Sequence, residues 1–381
     1  MSEPPLPRDD FEVTKSLVYF NHAAVGILPR SSVLALTEFL EAQGSRGVLG
    51  TAPYEMRMPE YRARLARYIG AKGDEIAFLR STSEGAAAIA GGIDWKTGDE
   101  LILCDNEFPS NVIPWLTIRQ RGAHVRFLDW TRERLTPDVL DRTIGSRTRA
   151  VTVSWVSYAD GYRHDLAGLA EVAHRHGALL CVDAIQGLGA FPLDVRAAGV
   201  DALYGAGAKW MLALQGAGFL YVREDLIDRL NVASPGWRSV ADMWDFHAYE
   251  QPWSPHALRF EGGTPNFIGA LSLERAVDLF ERSGPGRIAA HVLALTDRLH
   301  EGLLRAGAEV LTPRGEGISS GIVTFRMPGR DSIELGRAMQ REGVVTTWRA
   351  GGIRVAPHGY NSLDEIDTAL DVIADLMKGT R

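Results

Sequence analysis

The sequence predicts an α/β fold: a large domain on a mostly parallel sheet, followed by a smaller α+β domain. Three observations carry this. Between Asp74 and Arg223 short apolar runs alternate with helix-length segments, the pattern of a parallel sheet covered on both faces. Residues 231–263 then break the alternation with Trp237, Trp244 and Trp253 among Pro235, Pro252 and Pro255. Beyond them long helical patterns return with only isolated strands between. At 381 residues and 45% hydrophobic content the chain can bury a core of that size.

Residues 75–79 read as an apolar strand and 84–92 as a small-residue helix. Strands at 101–104, 124–128, 150–156 and 178–185 alternate with helices at 111–121, 137–144 and 166–176. Short strands at 202–204 and 218–222 complete the series. After the aromatic stretch, helices are expected at 268–282 and 287–306 around a Gly-Pro-Gly break. A strand at 321–326, a helix at 332–343, a strand at 353–356 and a helix at 363–378 end the chain.

Composition narrows the function. With 41 basic and 48 acidic side chains the net charge is −7, which argues against nucleic acid as the main partner. No apolar run reaches the roughly 18 residues of a membrane span, and the start Met1-Ser2-Glu3-Pro4-Pro5 lacks a signal peptide's basic and apolar regions. The two cysteines, Cys104 and Cys181, lie in apolar strand-like runs and read as free, inert thiols of a cytoplasmic protein. No His/Cys cluster has metal-ligand spacing, so no metal is expected, and the glycines near Gly205 do not match the dinucleotide fingerprint.

Ligands of open parallel sheets bind beyond the carboxyl ends of the strands, and residues fit for one cofactor lie just past those ends. Pyridoxal phosphate (PLP) needs a lysine to form an imine and a carboxylate to keep its pyridine nitrogen protonated. It also needs a flat side chain on its ring and helix-start N–H groups for its phosphate. Lys209 supplies the amine, Asp183 the carboxylate, Gln186 a donor to the ring hydroxyl and Phe108 the flat face. Ser81-Thr82-Ser83-Glu84 has capping-box spacing, so Thr82 and Ser83 are candidate phosphate ligands. Alone, each has a plainer explanation: a surface lysine, a helix cap, a core aromatic.

Taken together, Val182-Asp183-Ala184-Ile185-Gln186-Gly187, Ala208-Lys209-Trp210 and Gln215-Gly216-Ala217-Gly218-Phe219-Leu220 resemble the class V aminotransferase family of PLP enzymes. That family includes cysteine desulfurases, selenocysteine lyases and isopenicillin N epimerase-like proteins. Asn21-His22-Ala23-Ala24-Val25-Gly26 resembles its N-terminal active-site segment, which makes Asn21, His22 and Ala24 candidate substrate contacts. Gly262-Gly263-Thr264-Pro265-Asn266 resembles the loop reaching the phosphate of a neighbouring subunit. In Gly352-Ile353-Arg354-Val355-Ala356-Pro357-His358 the arginine stands where the family holds the substrate carboxylate, with Arg349 a further candidate nearby. The resemblance runs over nearly the whole chain.

It implies PLP fold type I with a seven-stranded sheet. Residues 16–265 form the large PLP-binding domain and 266–381 the small C-terminal one, with 1–15 an arm on the small domain or a partner subunit. It also implies a homodimer with shared active sites, Thr264 crossing between subunits, and an amino-acid substrate. Lys209 is the catalytic residue. Transamination, C–S lysis and epimerisation all remain open, as does a non-catalytic protein retaining the fold. Two departures stand out. Ala206 and Ala208 occupy positions where the family places Ser or Thr and His, so a weaker phosphate grip is expected. The stretch 344–352 has no cysteine, so a persulfide-forming desulfurase is not expected.

Overall fold

The structure, a computed structural model, describes residues 3–378. Its central sheet contains β1 (Ile76–Leu79), β2 (Glu100–Cys104), β3 (His124–Leu128), β4 (Thr148–Ser154), β5 (Leu179–Asp183), β6 (Ala202–Ala206) and β7 (Gly218–Val222). The strand order is β1-β7-β6-β5-β4-β2-β3. Only β7 runs antiparallel to its neighbours, so the sheet is mostly parallel, as expected.

Successive side chains enter different cores. Ile102, Val151, Val153, Leu180, Val182 and Leu203 pack on one face, and Leu101, Leu103, Ala150, Cys181 and Ala202 on the other. Both faces are covered, which is why these strands read as unbroken apolar runs rather than alternating ones. After β2 the chain lays β3 on one side and β4 on the other. The connections diverge there and open a crevice at the carboxyl ends of the strands.

Helices α1 (Arg30–Arg46), α2 (Val48–Met56) and α3 (Met58–Tyr68) were not expected from the sequence. Leu34, Leu40, Val48, Leu49 and Met56 are exposed on α1 and α2, and apolar residues on the outer face blur the 3.6-residue period. The single helix expected at 111–121 is instead three short turns, Pro109–Asn111, Ile113–Leu116 and Thr117–Arg121. Pro109 and Pro114 each start a turn, because proline has no N–H to continue a preceding one. Helices α4 (Thr82–Gly92) and α5 (Leu166–Arg175) fall close to expectation. Residues 231–263 are irregular apart from the turn Ala257–Phe260 and a bridge between Val240 and Trp253.

The C-terminal part holds α6 (Phe267–Ser283), α7 (Pro285–Arg305), β8 (Glu309–Val310), β9 (Val323–Arg326), α8 (Ser332–Arg341), β10 (Thr347–Arg349), β11 (Gly352–Val355) and α9 (Leu363–Lys378). Its antiparallel sheet has the order β10-β11-β9-β8. Leu295, Leu299, Leu303, Met339, Ile366 and Ile373 pack on that sheet, whereas Leu271, Leu273, Val277 and Phe280 of α6 belong to the large sheet's core. The N-terminal segment ties the two parts together. Val18–Tyr19 pairs in parallel with Val344–Val345, Asn21 bridges Ala356, and Phe11 stacks on Tyr360 at 4.0 Å. Among the described residues no helix is long and apolar enough to cross a membrane.

Candidate active site

The segments just past the carboxyl ends of β2, β4, β5 and β6 meet in the crevice. Asp183 is the last residue of β5, and its Oδ1 accepts from the Ile185 N–H at 2.9 Å. Burial pushes its carboxyl up to about 7; the Ile185 N–H and Lys209 oppose the shift and Glu107 adds to it. Lys209 lies three residues past β6, with Nζ 5.3 Å from the centre of the Phe108 ring. Burial brings the amine down to about 8 against the pull of Asp183, with Arg354 and Arg349 lowering it further. A substantial share of the amine is therefore neutral near physiological pH, as a nucleophile requires.

The lysine loop is tightly held. Leu212 adopts φ 50, a left-handed conformation that costs a non-glycine residue on the order of 1 kcal/mol or more. The N-terminal segment braces it: the Gly26 N–H donates to the Ala208 carbonyl at 2.7 Å. A Cβ on Gly26 would stand 2.1 Å from the Lys209 carbonyl oxygen, so only glycine permits this approach. Gln186 is fixed between the same two segments. Its Oε1 accepts from Trp210 Nε1 at 2.9 Å and its Nε2 donates to the Ala23 carbonyl at 3.0 Å, leaving one amide proton free.

Ser81 caps α4 by accepting from the Glu84 N–H at 3.2 Å. The expected capping box is only half formed, because Glu84 turns its carboxylate to Arg80 instead. Thr82 and Ser83 are the first two helical residues, so their N–H groups have no intrahelical acceptor. The buried Thr82 Oγ1 has no partner among the described residues either, whereas the Ser83 hydroxyl donates to Ser110 Oγ at 2.8 Å. Gly218 lets β7 approach this helix start, since a Cβ there would lie 2.4 Å from the Ser81 nitrogen. Thr264 is exposed on its loop and lines, with Ser83, a groove of about 850 Å³.

Arg354 is buried on β11 and donates through Nη1 to the Tyr158 carbonyl at 2.8 Å. Its Nε has no partner, and among the described residues no carboxylate forms an ion pair with it. Burial, with Arg349 nearby, lowers its guanidinium to about 10. An isolated buried cation is costly, so this one is poised for an anion. Arg349 itself is exposed and donates to the Trp348 carbonyl.

The N-terminal candidates separate. Asn21 Oδ1 is buried without a partner among the described residues, and Ala24 lies beside it, half-buried. His22 does not offer itself to a substrate: Nδ1 contacts the Ala356 carbonyl at 2.8 Å and Nε2 the Tyr360 hydroxyl at 2.9 Å. Burial lowers its proton affinity well below the ordinary value, so it is a neutral packing residue beneath the crevice. His358 is likewise buried and committed, through Nε2 to the Trp210 carbonyl at 2.9 Å.

The sequence reasoning missed three participants. Tyr158, just beyond β4, anchors Arg354 and sets its ring against Phe108 at 5.2 Å, nearly perpendicular. Trp210 orients Gln186. Glu107, next to Phe108, is buried in hydrogen bonds with Ser154 and Asn111. Applying the strand-end rule to β4 as well would have found Tyr158. Cys104 and Cys181 are buried in strands, where burial pushes their thiols up. The residues present fit PLP: the unpartnered Thr82 hydroxyl lies at a helix start, a buried carboxylate faces the crevice and a buried amine lies beside an aromatic ring.

Comparison with known proteins gives the same answer. The Aminotransferase class-V family model matches residues 18–362. A probable cysteine desulfurase of Methanothermobacter thermautotrophicus is 32% identical over 299 residues, 77% of this chain and 74% of that one. The uncharacterized aminotransferase YcbU of Bacillus subtilis is 30% identical, covering 82% of each chain. The apo structure of cysteine desulfurase from Thermococcus onnurineus NA1 superposes with a TM-score of 0.90 at 28% identity over both whole chains.

Proposed function

The chain belongs to the class V aminotransferase family, a family of PLP-dependent enzymes, and on that premise we propose how its residues divide the work at the α-carbon of an amino acid. The observation that carries the assignment is the buried Arg354, without a carboxylate partner among the described residues, in the same crevice as Lys209. PLP, when bound, supplies an electron sink for the charge left at the α-carbon when one of its bonds breaks.

Lys209 anchors the cofactor and then, as a free amine, takes or gives the proton at the α-carbon. Arg354 holds the substrate α-carboxylate through its planar fork, with Arg349 raising the local positive potential. Asp183 would pair with the ring nitrogen and Gln186 would give its remaining amide proton to the ring hydroxyl. Phe108 would supply the flat side chain against the ring. Thr82, with the N–H groups of Thr82 and Ser83, would hold the phosphate. Asn21 and Ala24 line the substrate side. Thr264 completes the phosphate site of a partner subunit in a homodimer, for which the exposed apolar residues of α1 and α2 provide surface. The two unpaired cysteines suit a cytoplasmic setting. The proposed organisation keeps 16–265 and 266–381 as domains, with α6 bound to the core of the first.

We favour an aminotransferase-type reaction. A second reading, a C–S lyase, is motivated by relatives named as cysteine desulfurases. It would have to proceed without a protein thiol, because 344–352 has no cysteine and both cysteines are buried in strands. Incubation of the holoenzyme with a panel of amino acids decides. Keto acid supports the first reading, pyruvate with sulfide the second, and the D-enantiomer an epimerase. Colourless protein that ignores added PLP, or colour that survives Lys209→Ala, overturns the cofactor site.

A further inference from the structure

We propose that Glu107 is a positioning residue whose buried negative charge keeps a proton between Asp183 and the cofactor's ring nitrogen. The inference rests on the proposed role of Asp183. Glu107 lies past the carboxyl end of β2 and is 9% exposed. Its Oε1 accepts from the Ser154 N–H at 2.7 Å. Its Oε2 accepts from Asn111 Nδ2 at 3.1 Å and contacts the Ser154 hydroxyl. The orientation of the Asn111 amide is set from its other side, where Oδ1 accepts from Thr152 Oγ1 at 2.9 Å and the Tyr204 hydroxyl at 2.5 Å. Backbone and amide N–H groups only donate, so the pocket is shaped for a carboxylate.

Among the described residues no cation pairs with Glu107, which leaves its charge uncompensated. Asp183 is one of the groups on which that charge acts. Ser154, which Glu107 grips at two atoms, is the register partner of Asp183 across β4 and β5, and the next residue, Trp155, donates its N–H to the Asp183 carbonyl at 2.8 Å. Glu107 thus pins the strand end beside Asp183 and, through the chain, the neighbouring Phe108. Other titratable groups facing the pair are Lys209, which favours ionised Asp183, and Cys104 and Tyr204, whose proton affinities burial raises first, with Glu107 adding to the shift of Cys104 and Asp183 to that of Tyr204. Burial raises the proton affinity of Glu107 itself, opposed by its Ser154 and Asn111 contacts. An ionised Glu107 raises the proton affinity of Asp183 and would do the same for a ring nitrogen held against it. The proton shared by that pair is then retained to higher pH.

The test is a pH titration of the visible absorbance of the holoenzyme, with the PLP dissociation constant measured alongside. Glu107→Gln keeps the shape and removes the charge. It should move the transition that depends on Asp183 downward by about one pH unit, the order expected for loss of one nearby buried charge. Glu107→Asp keeps the charge but shortens the reach. It should leave that transition near its wild-type position while weakening PLP binding, because Phe108 is held less firmly. An unmoved transition in Glu107→Gln, or equal shifts in both variants, overturns the proposal. Should Glu107→Gln not fold, Ser154→Ala removes one contact to the carboxylate and should move the transition the same way by a smaller step; no movement overturns the proposal. Asp183→Asn is the control. If it leaves the titration unchanged, the role of Asp183 fails; if it alters the titration and Glu107→Gln does not, only the Glu107 inference fails.

Discussion

Replacing Arg354 with methionine should separate substrate binding from stability. Burial with Arg349 nearby lowers the guanidinium to about 10, which corresponds to roughly 3 kcal/mol of cost carried by the charged form. Methionine removes that cost and fills most of the volume. It also leaves the Tyr158 carbonyl without its donor, a loss of about 1–3 kcal/mol. The two terms nearly cancel, so the apoprotein should unfold in urea within about 2 kcal/mol of wild type. Substrate binding has no such compensation. Losing one partner of a buried, hydrogen-bonded charge pair costs about 2–5 kcal/mol, or roughly 30- to 5,000-fold in affinity. The assay is titration of the holoenzyme's visible absorbance with amino acids, beside urea unfolding of the apoprotein. Arg354→Lys should fall between, since an ammonium lacks the two-pronged geometry. Unchanged amino-acid affinity in Arg354→Met refutes the carboxylate clamp. A stability loss of about 4 kcal/mol or more (on the order of breaking a compensated buried pair) refutes the view that the charge is uncompensated.

The same geometry sets four further outcomes. With the Lys209 amine at about 8, the neutral form prevails above that pH and is lost below it. The rate at which apoprotein takes up PLP should therefore rise through about pH 8, and a midpoint near the ordinary lysine value of about 10.4 would contradict the burial argument. Gly26→Ala forces a Cβ against the Lys209 carbonyl and should weaken PLP binding by roughly 1–3 kcal/mol, read by equilibrium dialysis. His22→Ala should cost roughly 2–4 kcal/mol in urea unfolding, as two buried partners lose their contacts, yet leave KM unchanged in protein that remains folded. Ala208→His, restoring a ring at a position where the family has one, should tighten PLP binding several-fold by dialysis if the phosphate grip is weak.

The large sheet was legible because its strands are buried on both faces, so their apolar runs survive as a local signal. The strand-end positions of Asp183 and Lys209 were legible for a related reason: each lies within a few residues of a strand's end, and one rule about carboxyl ends locates both. The helices of residues 30–68 were not, since Leu34, Leu40, Val48, Leu49 and Met56 face outward and no single apolar stripe marks an inner side. The 111–121 segment misled because Pro109 and Pro114 divide a stretch whose composition otherwise suits a helix.

His22 and Glu107 owe their roles to contacts that local pattern does not carry. Histidine in an active-site segment suggests chemistry, but its role depends on what occupies its two nitrogens, and those partners are Ala356 and Tyr360, more than 330 positions away. Glu107 sits between Asn106 and Phe108 with no local feature to distinguish it from a solvated carboxylate. Only its distant contacts with Ser154 expose it as a buried carboxyl group. Arg354 lies between these cases: the resemblance pointed to its position, while the absence of a partner carboxylate among the described residues is the physical support for its proposed role. The chemistry at the α-carbon therefore depends less on how many ionisable groups line the crevice than on which of them the fold has left uncompensated.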